Sequence, residues 1–148
     1  MKPDPQRMLE QLAASLATDV MPSVQPRYRQ TSVALLAGLA LAAREEFERA
    51  AARRVEENVA LRALFADAVP IVADAGLAQR LRAAADARDE NLRVSALDAS
   101  NQALRALLIE LHAHVEPLAT PAARELDEAI WTELVRSAER RRLSAAPF

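Results

Sequence analysis

Apolar residues along this chain recur three and four apart rather than in strict alternation, and the elements they predict are helices throughout. Leu9, Leu12, Leu16 and Val20 form one such stripe. Asp4-Pro5 ahead of it reads as an N-cap with a first-turn proline, and Pro22 ends it. "MPSVQP" (21–26) is a turn with two prolines, which separates this amphipathic helix from the next. The second helix opens near Pro26 and holds "SVALLAGLALAA" (32–43). At about 100° per residue, Val33, Leu36, Leu39, Ala40 and Phe47 share a face, whereas Leu35 and Leu41 fall well off it. A helix apolar nearly all round is expected at the centre of a bundle, covered on several sides. From Arg44 the pattern becomes amphipathic and runs on towards Ala68, but its phase drifts near Val55–Asn58, which predicts a kink or break there.

"VPIVADAG" (69–76) reads as a linker, with Pro70 and Gly76 as punctuation. Leu77 to about Arg88 makes a short helix, and a longer one runs from about Leu92 to Glu116, where Pro117 stops it. Thr120 and Pro121 repeat the start signal, and Leu126, Ile130 and Leu134 form the last core stripe, flanked by Trp131 and Val135. "ERRR" (139–142) complements the C-terminal end of that helix, and the tail after it is expected to fray. The fold expected is therefore all-α: an antiparallel helical bundle of five to six helices with a central apolar helix, built as one domain over 1–148 with frayed ends at 1–4 and 143–148. One pair of segments is alike, "NVALRALF" (58–65) and "NQALRALL" (101–108), each preceded by an Arg-acid-acid run, "REEF" and "RDEN". Duplication of a helical hairpin or coincidence in an Ala/Leu/Arg-rich chain would both produce it.

Composition sharpens this picture. Ala and Leu make up over a third of the chain, Gly38 and Gly76 are its only glycines, and Leu, Val, Ile and Ala must supply nearly all the packing. The formal net charge is −2, with 19 basic and 21 acidic residues intermixed, so no global field draws the chain to nucleic acid or an acidic membrane. The absence of cysteine excludes disulfides and thiolate metal sites. The start of the chain lacks a signal-peptide apolar block, and the longest uncharged stretch, Gln30 to Ala43, is too short to span a membrane. The expected location is cytoplasmic.

Candidate chemistry is sparse. His112 and His114 lie two apart, so on a helix they point about 200° from each other and cannot chelate one ion together. The pairs that can meet are Glu110 with His114 and His112 with Glu116. The Glu-x-x-His pattern of di-iron bundles is absent, because Ala113 stands three after Glu110. No metal, cofactor or catalytic residue is assigned. The same helix carries a leucine face and, opposite it, a strip of small residues with Ile109: Ala99, Ala106 and Ala113. That strip suits either a central helix or a homodimer surface. In "PRYRQTS" (26–32), Arg27 and Arg29 stand at a helix N-terminus, where backbone N–H groups already favour an anion, and Tyr28, Thr31 and Ser32 add hydroxyls. Arg27, Tyr28, Arg29 and Ser32 are thus candidate ligands for an anion or carboxylate, or else partners of acids on a neighbouring helix. Asn58 and Asn101 are candidate interhelical clamps or pocket groups.

Residues 4–47, "DPQRMLEQLAASLATDVMPSVQPRYRQTSVALLAGLALAAREEF", resemble the start of an uncharacterised bacterial helical domain found alongside aminoglycoside-phosphotransferase-like proteins and acyl-CoA dehydrogenases. The first-helix leucine pattern, the "VMPSV" break, "RYRQTSVALL" and "REEF" carry the likeness, which covers under a third of the chain. It implies an accessory role near such an enzyme and transfers no functional residue.

These readings rank a self-associating helical accessory or interaction module first, non-enzymatic and homodimeric, with a neighbouring enzyme as a further candidate partner. A bundle that binds a small anion or carboxylate ranks second, and a metal-dependent enzyme third.

Overall fold

The computed structural model describes residues 4–144. Of the ends expected to fray, 1–4 and 143–148, residues 1–3 and 145–148 lie outside the described residues. Five α-helices follow one another: α1 (Pro5–Ser15), α2 (Arg29–Ala68), α3 (Ala75–Asp86), α4 (Val94–Val115) and α5 (Pro121–Arg141). One π-helical turn (Leu16–Val20) and one 3-10 turn (Met21–Ser23) extend α1. The fold is all-α, and no strand occurs among the described residues. None of their helices is long and apolar enough to cross a membrane.

The start signals act as their chemistry requires. Asp4 accepts from the Gln6 amide at 3.1 Å, and Thr120 accepts from Ala123 at 3.2 Å. Asp74 does the same for α3, accepting from Leu77 at 2.6 Å. That cap moves the start of α3 ahead of the expected Leu77, so Gly76 sits inside the helix instead of punctuating its approach.

The chain packs as two compact units that share α2. One is built on the chain up to Ala50 with Leu143 and Ser144, the other on Ala51–Arg142. Each has its own core. In the larger unit Leu61, Phe65, Leu81, Leu108, Leu111 and Ile130 lead the buried set. There α4 and α5 lie antiparallel: Arg105 donates to Ser137 Oγ at 3.2 Å, and further along α4 His112 lies 2.9 Å from Asp127. The buried stripe of α5 is Ala123, Leu126, Ile130, Glu133 and Ser137, with Leu134 half-buried at its edge. Core spacing thus continues past Ile130 on polar residues.

In the unit up to Ala50 the buried core is three alanines, Ala13, Ala37 and Ala40, with Leu16 and Leu41 packed against them. Here α1 runs antiparallel to the first half of α2. Gln6 donates to Glu48, and Arg44 pairs with Glu10 at 3.9 Å. Small residues on both helices, Ala14 and Ala17 against Ala34 and Gly38, line an open cleft of about 520 Å³. Ser144 closes this unit by donating from its amide and hydroxyl to Glu45.

Two expectations about α2 need correction. No break interrupts the helix across Val55–Asn58. The apolar phase lapses there because the buried positions are polar: Arg53, Glu57 and Asn58 occupy core sites. The segment 32–43 is also not the covered centre of a bundle. Its buried positions are alanines, while Leu35, Leu36 and Leu39 are exposed, as is Phe47 beyond it. Among the described residues of its unit, α1 and the turn that extends it lie against this segment on the alanine side, while the leucine face is exposed.

Asn101 is 3% exposed and bonds Asn58, Glu57 and Arg141 together. Asn101→Ala would leave buried polar atoms without partners. It should lower stability by about 2–3 kcal/mol, read as a lower urea midpoint at unchanged m-value. A change of under about 0.5 kcal/mol, the scale of a surface substitution, would show that the contacts are replaceable.

Candidate functional site

Two carboxylates, the buried Glu57 and the half-buried Asp89, organise the polar interior of the unit Ala51–Arg142. Glu57 on α2 accepts from Arg141 Nε at 2.8 Å and Nη2 at 2.5 Å, from Ser137 Oγ at 3.1 Å and from Asn101 Nδ2 at 3.2 Å. Asp89, in the connection before α4, accepts twice from Arg62 at 2.8 Å, from Asn58 Nδ2 at 3.0 Å and from Ser100 Oγ at 2.8 Å. The two nodes are joined by the asparagines themselves, since Asn101 Nδ2 donates to Asn58 Oδ1 at 2.9 Å. The expected clamp role of Asn58 and Asn101 is therefore met, and the two residues that begin the similar segments meet each other. The later residues of these segments correspond too: Leu61 and Leu104 are buried, as are Phe65 and Leu108.

Electrostatics follows from these contacts. Burial pushes the Glu57 carboxyl up, but Arg141, Ser137 and Arg105 outweigh it and hold the group below the ordinary glutamate range. The Arg62 guanidinium, acting against burial and helped by Asn58 and Ser100, holds Asp89 well below the ordinary aspartate range. Carboxylates this saturated with donors stay ionised and have no lone pair turned towards a substrate. Their arrangement fastens α2, α4, α5 and the 87–93 connection to one another. Beside it lies a cleft of about 430 Å³, walled by Val55, Val59, Ala63 and Leu92, with Arg62 and Asp89 on its polar side.

Both histidines are half-buried on the flanks of α4, and the Nε2 of His114 is buried without a hydrogen-bond partner among the described residues. His112 takes Asp127 rather than Glu116, and its ring meets Trp131 edge-on at 5.4 Å. Glu110 takes Arg80 rather than His114. These tertiary partners replace the local pairs that i,i+4 spacing predicts. Among the described residues no group of three or more His, Asp or Glu could hold a metal ion.

The other candidates are spread over the surface. Arg27 and Tyr28 lie in the turn before α2, Arg29 begins the helix and Ser32 lies in its first turn, and all four are exposed. None of them lines either cleft described above. Two amides that an anion would use there are occupied, because Arg29 N–H donates to Pro26 O and Gln30 N–H donates to Arg27 O. On α4, Ala99, Ala106, Ile109 and Ala113 are all exposed, with Ile109 at 71%. This strip is open, so α4 is not the doubly covered central helix that its two apolar faces suggest; its leucine face alone is buried.

The most exposed run of large apolar side chains on one helix belongs to α2. Leu36 is 53% exposed, Leu39 48% and Phe47 60%, with Leu35 beside them. The sequence pattern puts Leu36, Leu39 and Phe47 on one face, with Leu35 off it, and predicts that face to be interior. It missed Glu57, Asp89, Ser137 and Arg141 altogether. The available signal was polar residues continuing a core stripe, as Glu133 and Ser137 do after Leu126 and Ile130.

A depressed carboxyl titration has a definite consequence for stability. Asp89 in the unfolded chain takes up its proton near 3.8, and in the folded chain only at much lower pH. Its contribution is complete above about pH 5 and fades as the pH falls through and below the unfolded value. Asp89→Asn should therefore be less stable than the wild type at pH 7, and that difference should shrink as the pH falls from 5 to 2. A gap in urea midpoints that stays constant over this range would show that Asp89 titrates normally.

Against family models, curated proteins and solved structures alike, the chain has no match.

Proposed function

We propose that this chain is a helical interaction module, in which residues up to Ala50 present the leucine face of α2 to a helical partner. The observation that carries this reading is an inversion of the usual placement. Alanines form the buried core of that unit, while Leu35, Leu36, Leu39 and Phe47 on the same helix stand in solvent. Contiguous apolar patches beyond a few hundred Å² are rare on monomeric proteins and mark interaction sites. The polar network of residues 51–142 supports a non-enzymatic role, since its carboxylates serve as fasteners. The resemblance of residues 4–47 to a domain that accompanies enzymes is compatible with an accessory role.

The reading requires that the face contribute nothing to the fold of a single copy. Leu36→Lys combined with Leu39→Lys, measured by circular dichroism at sub-micromolar concentration, should keep its helicity. Its unfolding midpoint should shift by no more than about 0.5 kcal/mol per site. A loss of about 3 kcal/mol or more per site, the scale of emptied core positions, would place these leucines inside the fold and end the proposal.

A further inference from the structure

The leucine face of α2 has the pattern of a self-complementary surface. We infer that its occupant is a second copy of this chain, paired antiparallel through α2 about a two-fold axis between Ala37 and Gly38. This inference rests on the presented-face reading and names the partner.

Angular placement comes first. Around α2, Ala43 and Phe47 lie within about 20° of Leu36, and Leu39 about 60° from it. Arg29 and Ser32 fall on the same side, about 20° and 40° away. An antiparallel copy centred between Ala37 and Gly38 then sets Leu36 beside the partner's Leu39, twice, and Ser32 beside the partner's Ala43. The ends match as well. Tyr28, 71% exposed just before the helix, falls beside the partner's Phe47, so two exposed aromatic side chains of this unit cover each other.

Charge selects the antiparallel sense. The N-terminal end of the face carries Arg27 and Arg29, and Glu46 stands on its flank near the other end, about 80° from Leu36. Antiparallel pairing brings Arg29 beside the partner's Glu46, and it also sets the helix dipoles head to tail. A parallel pair would set Arg27 and Arg29 against their own copies at the N-terminal end, whereas the other end, with Arg44 and Glu46 each about 80° from Leu36, is balanced. Rim charges of this kind specify orientation more than strength.

The area is sufficient. Tyr28, Leu35, Leu36, Leu39 and Phe47 expose on the order of 600 Å² between them. Ser32, Ala43, Arg29 and Glu46 bring each copy close to the roughly 800 Å² per partner of a standard interface. The α4 strip offers far less, because Ile109 is its one large side chain. The subunit contact therefore moves from α4 to α2.

The lack of cysteine makes a clean test possible. Tyr28→Cys and Phe47→Cys variants are prepared separately, mixed in equal amounts, allowed to exchange and oxidised mildly. Both positions are exposed, so neither change disturbs the core of a single copy. The mixture should yield a covalent dimer, and each variant alone should yield little, because like positions lie about 28 Å apart along antiparallel helices. Adding Leu36→Lys and Leu39→Lys to both variants should abolish the product. Self-linking of Phe47→Cys alone would overturn the antiparallel arrangement. A wild-type chain that light scattering shows to be dimeric, without the mixed product, would overturn the register. A monomeric mass at about 100 µM would remove the second copy as occupant. None of these outcomes touches the presented-face reading, which stands or falls on the stability of the lysine variant at high dilution.

Discussion

Asn58 and Asn101 meet side chain to side chain with almost no access to solvent, and the arrangement of the larger unit depends on that contact. Each asparagine serves one carboxylate, Asn58 donating to Asp89 and Asn101 to Glu57, so a single hydrogen bond joins two ionic nodes. Burying such charges is costly unless every lone pair is matched, and here each carboxylate accepts from three different side chains. Such a network tolerates little sliding. Moving α4 by one residue relative to α2 would unpair both asparagines and leave Glu57 and Asp89 short of donors. Leucines can repack after a shift of that kind, but these polar groups cannot. The network therefore specifies register, while the apolar core around Phe65, Leu108 and Ile130 supplies most of the stabilisation.

Much of this was legible in the sequence, and the limits have physical reasons. Helix starts at Asp4 and Thr120 were readable because a cap is a local interaction, complete within four residues. The leucine stripe of α4 was readable because burial of one face imposes helical periodicity. The asparagines were noticeable because they recur in two similar segments at core-facing positions. Their partners were not, since Arg141, Ser137 and Asp89 lie far from Glu57 or Arg62 along the chain and no local pattern joins them. The same remoteness explains the histidines. Spacing alone pairs His112 with Glu116, whereas the fold supplies Asp127 and Trp131.

The error about α2 is of a different kind. Periodicity reports that a face is apolar, but it carries no information on what covers that face. For the alanine side of α2 the cover is α1, close enough for Ala37 and Ala40 to be buried. For the leucine side none of the described residues supplies one, and an apolar pattern all round a helix is equally met when the cover comes from outside. On α4 the same inference fails more mildly, since the uncovered strip there is mostly alanine and costs little to leave in water.

The distribution of leucine and alanine over residues 4–50 has an energetic meaning. Burying an alanine methyl contributes about 0.8 kcal/mol, whereas burying a leucine contributes about 1.5–3 kcal/mol. A hairpin held by Ala13, Ala37 and Ala40 therefore draws only a small part of the apolar free energy its sequence contains. Ordering its backbone costs about 1–2 kcal/mol per residue, against which three alanines are a weak counterweight. The larger part resides in Leu35, Leu36, Leu39 and Phe47, and it is released only when something covers them. On this reading association adds to the stability of a hairpin that already forms in a single copy. A partner that covers the leucine face stabilises the hairpin by mass action, and the tie from Ser144 to Glu45 supports it in the meantime. A surface of this composition does its work by being incomplete.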